Sequence, residues 1–251
     1  MNDIFYEMIF RRKSFHTFRN VGNESISEDE LYDIQNVYSE FTPLNPEIKT
    51  AIRIVPEKET TCKRGGEYCI LLYSEKQDSY LQNIGYLGEQ LDLFLISRNI
   101  GTLWFGIGKT KEEPFEDMEF VIMFSIRKTS DNSKYRKDMF KSKRKSVEEI
   151  WEGVKIPGVS EIVRFAPSAC NSQPWYVKKD GKLSVYRYKK PGKRGIMPVD
   201  KVSFYNRIDI GIFIFFMDIC LEQCGIGFEK KIYPDDGEDK EFVLNAVYRL
   251  D

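Results

Sequence analysis

The apolar residues of the chain recur with periods that predict helices and strands in alternation. Residues 80–100 have the clearest helical period, close to 3.6 residues. The apolar positions of this predicted helix are Leu81, Ile84, Leu87, Leu91 and Leu95. Shorter helices are predicted over residues 1–10 and after Ser27, because Ser27 and Glu30 have the spacing of a capping box. Short apolar runs predict strands at residues 51–55, 69–73 and 119–126.

Glycines and apolar residues predict how the long helices pack. Gly85 and Gly88 interrupt the helix over residues 80–100, and each costs about 1 kcal/mol there, so we expect a close helix–helix contact. Residues 210–221 are almost continuously apolar and contain Asp218, and Asp209 just before them is a candidate helix cap. A run of this length is too short to span a bilayer, so it predicts a buried helix and no membrane partner.

The second half of the chain repeats part of the first at an offset of 126 residues. The identical pairs are Ile84/Ile210, Gly85/Gly211, Leu95/Leu221, Ile100/Ile226 and Gly101/Gly227. We interpret them as the trace of a duplicated unit. Residues 129–146 are polar and strongly basic, which is typical of a connecting segment. The predicted halves are therefore residues 1–150 and 151–251.

Composition and charge narrow the class of protein. Apolar residues make up 41% of the chain and the formal net charge is −1, which favours a globular fold and argues against nucleic acid as a partner. The five cysteines form no C-x-x-C pair, which favours reduced thiols and a cytoplasmic location. His16 is the single histidine, so a histidine-rich metal site is excluded. The N-terminus lacks the long apolar stretch of a signal peptide.

Residues 166–175, with the sequence APSACNSQPW, predict a rigid loop that leads into a strand. The loop combines two prolines with small residues, Asn, Gln and Trp. Its backbone groups and short polar side chains can meet the edge of a flat polar ligand. The simpler interpretation is a proline-bounded turn with a tryptophan in the core.

This loop resembles the flavin-bordering loop of the FMN-dependent nitroreductase family, in which it usually lies in the first third of the chain. Its late position here resembles the fused tandem subfamily, in which one chain carries two protomer-like halves. The resemblance implies an α+β nitroreductase-like fold, a pseudo-dimer and a monomer in solution. It also implies that Pro167, Ser168, Ala169 and Asn171 border the flavin.

Three further motifs carry the same resemblance. Residues 12–18, RKSFHTF, are similar to the family signature R-x-S-x-[RK]-x-F, which implies that Arg12 and Ser14 hold the FMN phosphate and that Lys13 lies along it. His16 stands where the family has Lys or Arg, which implies a lower or pH-dependent reduction potential.

Residues 101–106, GTLWFG, resemble the family's G-T-x-W loop, which implies that Trp104, Phe105 and Gly106 lie near the isoalloxazine ring. Residues 143–150 resemble a late basic tail, with Arg144 as a second phosphate ligand. A solvated run of charges is the alternative for Arg144.

The resemblance implies an FMN-dependent oxidoreductase. NAD(P)H would reduce the flavin, and a nitro compound, quinone or similar small oxidant would then accept the electrons in a ping-pong cycle. The start of the second half lacks the phosphate signature, so we expect one FMN per chain. Two alternatives stay open. One is a flavin-binding or interaction protein without turnover, and the other is different flavin chemistry such as reductive dehalogenation or flavin fragmentation.

Overall fold

A computed structural model describes most of the chain. The described residues are 2–111, 114–188, 195, 197–235 and 241–251. They form six α-helices and nine β-strands. The helices are α1 (Asn2–Arg11), α2 (Glu28–Glu40), α3 (Tyr80–Ser97), α4 (Val147–Ile150), α5 (Ser160–Val163) and α6 (Val199–Gln223). The strands are β1 (Thr50–Pro56), β2 (Tyr68–Ser74), β3 (Ile100–Phe105), β4 (Glu119–Lys128), β5 (Trp151–Gly153), β6 (Trp175–Asp180), β7 (Lys182–Tyr188), β8 (Phe228–Ile232) and β9 (Phe242–Leu250).

The chain divides into two compact units. The first comprises residues 3–80 and 87–140, and the second comprises residues 81–86 and 141–251 together with Asn2. The main break therefore falls ahead of the predicted boundary near residue 150. The early turns of α3 belong to the second unit, an assignment that a linear division of the sequence could not make.

The first unit is built on an antiparallel sheet with the strand order β1-β2-β4-β3. Strand β2 is central and almost wholly buried, because its sequence YCILLYS is apolar on both faces. Helix α2 begins at a complete capping box formed by Ser27 and Glu30, as predicted. The predicted helix over residues 1–10 and the strands at 51–55, 69–73 and 119–126 are also confirmed.

The second unit is built on a sheet with the order β5-β6-β7-β9-β8, in which β5 is parallel to β6 and the other neighbours are antiparallel. Helix α6 is buried from Ile208 to Leu221 on every side, which explains its nearly continuous apolar sequence. In the part of the chain that the structure describes, no helix combines the length and the apolar character needed to cross a membrane.

The two units share one strand topology. In each, two antiparallel strands are followed by a long helix, then by an edge strand, and then by a strand inserted beside the edge strand. The residue after each helix C-cap also corresponds: Asn99 has φ 60° and Gly225 has φ 67°, and the two lie 126 positions apart. The offset found in the sequence is therefore also an offset in secondary structure.

Helices α3 and α6 touch inside the second unit at a pair of glycines. A Cβ atom at Gly85 would lie 2.0 Å from the carbonyl oxygen of Ile208, and one at Gly211 would lie 1.9 Å from that of Gln82. The close helix–helix contact predicted for Gly85 is confirmed. The same prediction for Gly88 is wrong: a Cβ atom there would lie 2.4 Å from the ring of Trp104, on strand β3.

The basic segment over residues 129–146 is more than a connection. It contains two short 3-10 turns, Asn132–Lys134 and Met139–Lys141. Tyr135 and Met139 are buried, and the Tyr135 ring packs edge-on against Phe15. Single buried side chains thus anchor a segment whose sequence has no apolar period.

Candidate functional site

The loop over residues 166–175 has a strained backbone. It contains a short 3-10 turn, Ala169–Asn171, and enters strand β6 at Trp175, as predicted. Cys170, Asn171 and Gln173 have φ values of 51°, 56° and 49°. The left-handed region costs a residue with a side chain roughly 1–2 kcal/mol, so the surrounding contacts must hold this shape in place.

Asp209 of helix α6 helps to stabilise the strained loop. Its carboxyl group accepts a hydrogen bond from the Ala169 amide at 2.9 Å and lies 3.3 Å from the Ser172 hydroxyl. Burial raises the pKa of Asp209 to about 8, although these two contacts lower it. The sequence suggested Asp209 as a helix cap; this is wrong, because α6 begins at Val199 and Asp209 lies inside it.

The end of the loop is held by its own side chains and by the core. The backbone amide of Gln173 donates to the Ser168 hydroxyl at 3.0 Å. Trp175 is fully buried, and its ring stacks on Phe213 with the centroids 4.8 Å apart. Pro167 is also buried, whereas Ser168, Ala169 and Asn171 are half-buried. The polar edge of the loop is therefore the part that a ligand can reach.

The basic tail lies against this loop within the second unit. Arg144 donates from Nη1 to Oδ1 of Asn171 at 2.5 Å. The backbone amide of Lys145 donates to the Gln173 side chain at 2.7 Å, and its ammonium donates to the Gln173 carbonyl at 3.0 Å. The two predicted site residues Arg144 and Asn171 are thus brought together, by contacts that the sequence did not suggest.

The charges around the loop are mainly positive. Lys143 and Arg144 flank it, and Arg164 donates to the carbonyl oxygen of Lys145 at 3.1 Å. Burial lowers the pKa of Lys145, while the charge of Glu149 raises it. Since burial favours the neutral form of Asp209, the loop presents excess positive charge suited to an anion.

In the first unit, Arg12 is part of a buried polar network. Its Nε donates to Asp92 at 2.7 Å and lies 3.4 Å from Glu89. Asp92 also accepts from the Thr102 hydroxyl at 2.5 Å and from the Trp104 indole at 3.1 Å. The predicted phosphate ligand is therefore an arginine whose Nε is already occupied by a carboxylate.

The acids of this network have different environments. Burial raises the pKa of Glu89 well above its usual range, although the charge of Arg12 opposes the shift. The attraction of Asp92 and Glu89 raises the pKa of Arg12, against the opposing effect of burial. The network thus joins Arg12 to Asp92, beside a Glu89 whose neutral form is favoured by burial. Sequence reasoning missed both acids.

The predicted loop over residues 101–106 is a strand up to Phe105. Strand β3 places Trp104 on the face of Asp92, where its ring lies 4.2 Å from that of Phe124. Phe105 points to the opposite face, into the core of the first unit, because side chains alternate along a strand. The two rings therefore cannot both pack on one flavin. Gly106 follows the strand and is half-buried.

The other predicted FMN-binding residues of the basic motif are accessible. Lys13 and His16 are exposed and Ser14 is half-buried. The motif is fixed to strand β3, since Ser14 bridges to Thr102 and the Phe15 amide donates to the Thr102 carbonyl at 2.9 Å. Lys13 donates to the carbonyl of Lys134 at 3.0 Å.

A second acidic network sits at the repeated position. Asp218 is 126 residues after Asp92 and accepts hydrogen bonds from Tyr86 and Tyr248, each at 2.8 Å. It also pairs with Lys230, which stands 126 residues after Trp104. The pair Asp92/Asp218 is a further identity at the repeat offset and could have revealed both networks from the sequence.

A family model and solved structures resemble this chain. The family described as "Putative TM nitroreductase" matches residues 4–220. A structure described as a putative nitroreductase from Thermotoga maritima is 21% identical, with a TM-score of 0.60, over 98% of this chain and 92% of that one. No curated protein matches the chain.

Two shorter proteins resemble part of the chain more weakly. One is described as a putative nitroreductase in complex with FMN from Desulfovibrio desulfuricans, with 14% identity and a TM-score of 0.45 over 61% of this chain and 98% of that one. The other is described as a putative NADH oxidase from Clostridium acetobutylicum, with 11% identity and a TM-score of 0.40 over 57% and 96%.

The family match spans most of the chain, so the chain belongs to this nitroreductase family and has its α+β fold. Membership of this family indicates that the protein is an oxidoreductase.

Proposed function

We propose that the chain is an FMN-dependent oxidoreductase that takes electrons from NAD(P)H and passes them to a nitro compound, a quinone or a similar small oxidant. Family membership supports the class of reaction. We propose FMN as the cofactor because of the strained loop and its basic tail. An anion and a flat polar edge would both find hydrogen-bond partners there.

The residues of the loop fit the chemistry of FMN. A phosphate dianion is held by charge-assisted donors, and Arg144 supplies a guanidinium oriented by Asn171. The accessible polar groups of Ser168, Ala169 and Asn171 suit the edge of an isoalloxazine ring, and buried Pro167 keeps the loop rigid. When bound, the flavin supplies hydride and electron transfer, and the protein supplies orientation and charge.

In the first unit, we propose that Lys13, Ser14 and His16 contribute to FMN binding, on the strength of their motif and exposure. The Nε of Arg12 donates to Asp92, so we propose that the terminal nitrogens of Arg12 contact the phosphate. We also propose that Trp104 and Gly106 contact the flavin. For Phe105 we propose a contact through the backbone alone, because its side chain lies in the core.

We also propose that the chain is a duplicated unit that acts as a pseudo-dimer and is monomeric in solution, with one FMN per chain. The contacts Gly85–Ile208 and Gly211–Gln82 support the duplication, because an offset of 126 residues converts one contact into the other. Light scattering should give the mass of one chain, 29.5 kDa, and a mass of twice that value would contradict the proposal.

The test of function is anaerobic mixing of FMN-loaded protein with NADPH and with NADH, followed in the visible spectrum. The proposal predicts rapid bleaching of the flavin by one of them and recovery of the colour with a quinone or nitroarene. Arg144→Ala should weaken FMN binding, whereas the control Arg249→Ala, at an exposed arginine of the same unit, should not.

The outcomes separate the alternatives. Bound flavin that neither nucleotide reduces would favour a flavin-binding protein without turnover, with His16→Lys as the next variant. Failure to bind FMN would overturn the proposal.

A further inference from the structure

Two cysteines of the first unit lie in one part of its core. Cys69 is the second residue of β2, paired in register with Val55 and Ser125, and is fully buried. Cys62 belongs to the segment that leads into β2 and is 2% exposed. Both belong to one core cluster of the first unit. Nothing in the proposed flavin chemistry uses them.

Thr60 brings the two cysteines into one hydrogen-bonded group. Its hydroxyl accepts from the backbone amide of Cys62 at 3.1 Å and lies 3.5 Å from the sulfur of Cys69. The side chain of Cys69 lowers the pKa of Cys62, and the side chain of Cys62 raises the pKa of Cys69. Their shared contact with Thr60 brings the two cysteines close to each other, as a disulfide requires.

An open cleft of about 600 Å³ reaches one member of this pair, Cys62. Cys62 lines it together with Lys63, Gly65 and Gly66. Glu57 also lines the cleft, but its carboxylate is engaged by the amides of Gly65 and Gly66 and by the Ser125 hydroxyl. Hydrogen-bond donors therefore surround the carboxylate of Glu57.

The pair at the end of α6 offers a contrast within the same chain. Cys220 and Cys224 are one helical turn apart, but burial raises the pKa of Cys220. Cys224 is exposed, and its thiol points to the carbonyl of Pro157 at 3.8 Å. The Cys224 thiol is directed to that carbonyl, so this pair is the internal control.

We propose that Cys62 and Cys69 form a redox-active dithiol, which a peroxide entering through the cleft converts into an intramolecular disulfide. The Cys62 thiolate attacks one peroxide oxygen, the O–O bond breaks, and the leaving hydroxide takes up a proton to give water and a sulfenic acid. The Cys69 sulfur then attacks the Cys62 sulfur, the S–O bond breaks, and a second water leaves with the Cys69 proton. Two electrons from two thiols thus reduce one peroxide to two waters.

The test is disulfide mapping of the intact, fully reduced protein after brief exposure to hydrogen peroxide. Free thiols are blocked with N-ethylmaleimide, and the protein is digested with trypsin without reduction. Cys62 and Cys69 fall in separate tryptic peptides, residues 59–63 and 65–76, so their disulfide appears as a linked pair. Cys220 and Cys224 share the peptide 208–230 and report their own oxidation by mass.

The proposal predicts that the linked peptides appear, and that Cys62 is lost at least about tenfold faster than Cys220. Dithiothreitol should restore both free thiols. Cys62→Ser and Cys69→Ser should each abolish the linked pair and leave the labelling of Cys224 unchanged. Recovery of residues 59–63 and 65–76 as separate, blocked peptides, while exposed Cys170 is oxidised, would overturn it. The mapping of the unaltered protein decides the question even if one variant fails to fold.

Discussion

Gly85 and Gly211 face each other where α3 crosses α6, and a Cβ atom at Gly85 would lie 3.2 Å from the Cα of Gly211. The same added atom would lie 2.0 Å from a backbone oxygen, a separation that real Cβ atoms do not adopt. The two glycines are 126 residues apart, the repeat offset of the chain. A single close contact thus joins two positions that are separated by the repeat offset.

The first prediction concerns these glycines. Alanine at either position forces the backbones apart, and overpacking of this kind costs about 1–3 kcal/mol, against a gain of about 1 kcal/mol in helix propensity. We expect Gly85→Ala and Gly211→Ala each to lower the free energy of unfolding in urea. Because both alter one contact, the double variant should lose less than the sum of the single losses. Additive losses would show that the two glycines do not share a contact.

The second prediction compares two acids one turn apart on α3. Asp92→Asn leaves the buried guanidinium of Arg12 without its hydrogen-bonded carboxylate, which costs about 3–5 kcal/mol. Glu89→Gln should cost less than Asp92→Asn, because burial raises the pKa of Glu89 and so favours the neutral form that glutamine imitates. Urea unfolding at pH 7 measures both losses. Equal losses would mean that Glu89 carries charge.

The third prediction concerns pH. The pKa of Asp209 is raised by burial to about 8, so the folded chain holds a proton that the unfolded chain releases near pH 4. The free energy of unfolding should therefore fall as the pH rises from about 4 to about 8, by more than about 1.4 kcal/mol in total. Asp209→Asn mimics the protonated form and should remove this contribution. A variant with the pH dependence of the unaltered chain would contradict the assignment.

The fourth prediction concerns the strained loop. Cys170 is exposed and has φ 51°, so Cys170→Gly should relieve the left-handed strain without loss of packing. We expect a gain of about 1 kcal/mol in the free energy of unfolding. Cys170→Val is the matched control, and its β-branched side chain should lower stability. A loss of stability in both variants would show that the thiol itself stabilises the loop.

Much of the fold was visible in the sequence where the apolar pattern was strong. Strand β2 and helix α3 were predicted because a buried strand needs a continuous apolar run and a buried helix needs a 3.6-residue period. Strand β3 was missed because Ile100 and Leu103 continue the apolar character of the helix before it. The chain leaves the helix at Asn99, whose φ of 60° is a local backbone property.

The site was predicted where motifs were contiguous and missed where contacts were distant. The loop over residues 166–175 and Arg144 were predicted because each belongs to a short contiguous motif that resembles one of the family. The hydrogen bond from the Ala169 amide to Asp209 joins residues 40 positions apart, and no local sequence pattern predicts such a bond. Helix α6 also begins at Val199, ahead of its apolar run, so the sequence alone placed Asp209 near a helix end.

The most direct test of the central claim is the amount of FMN bound by the purified chain after reconstitution, measured by absorbance against protein concentration. The account predicts one FMN per chain, with weaker binding by Arg144→Ala. Two FMN per chain would contradict the single site, and no bound FMN would contradict the proposed function.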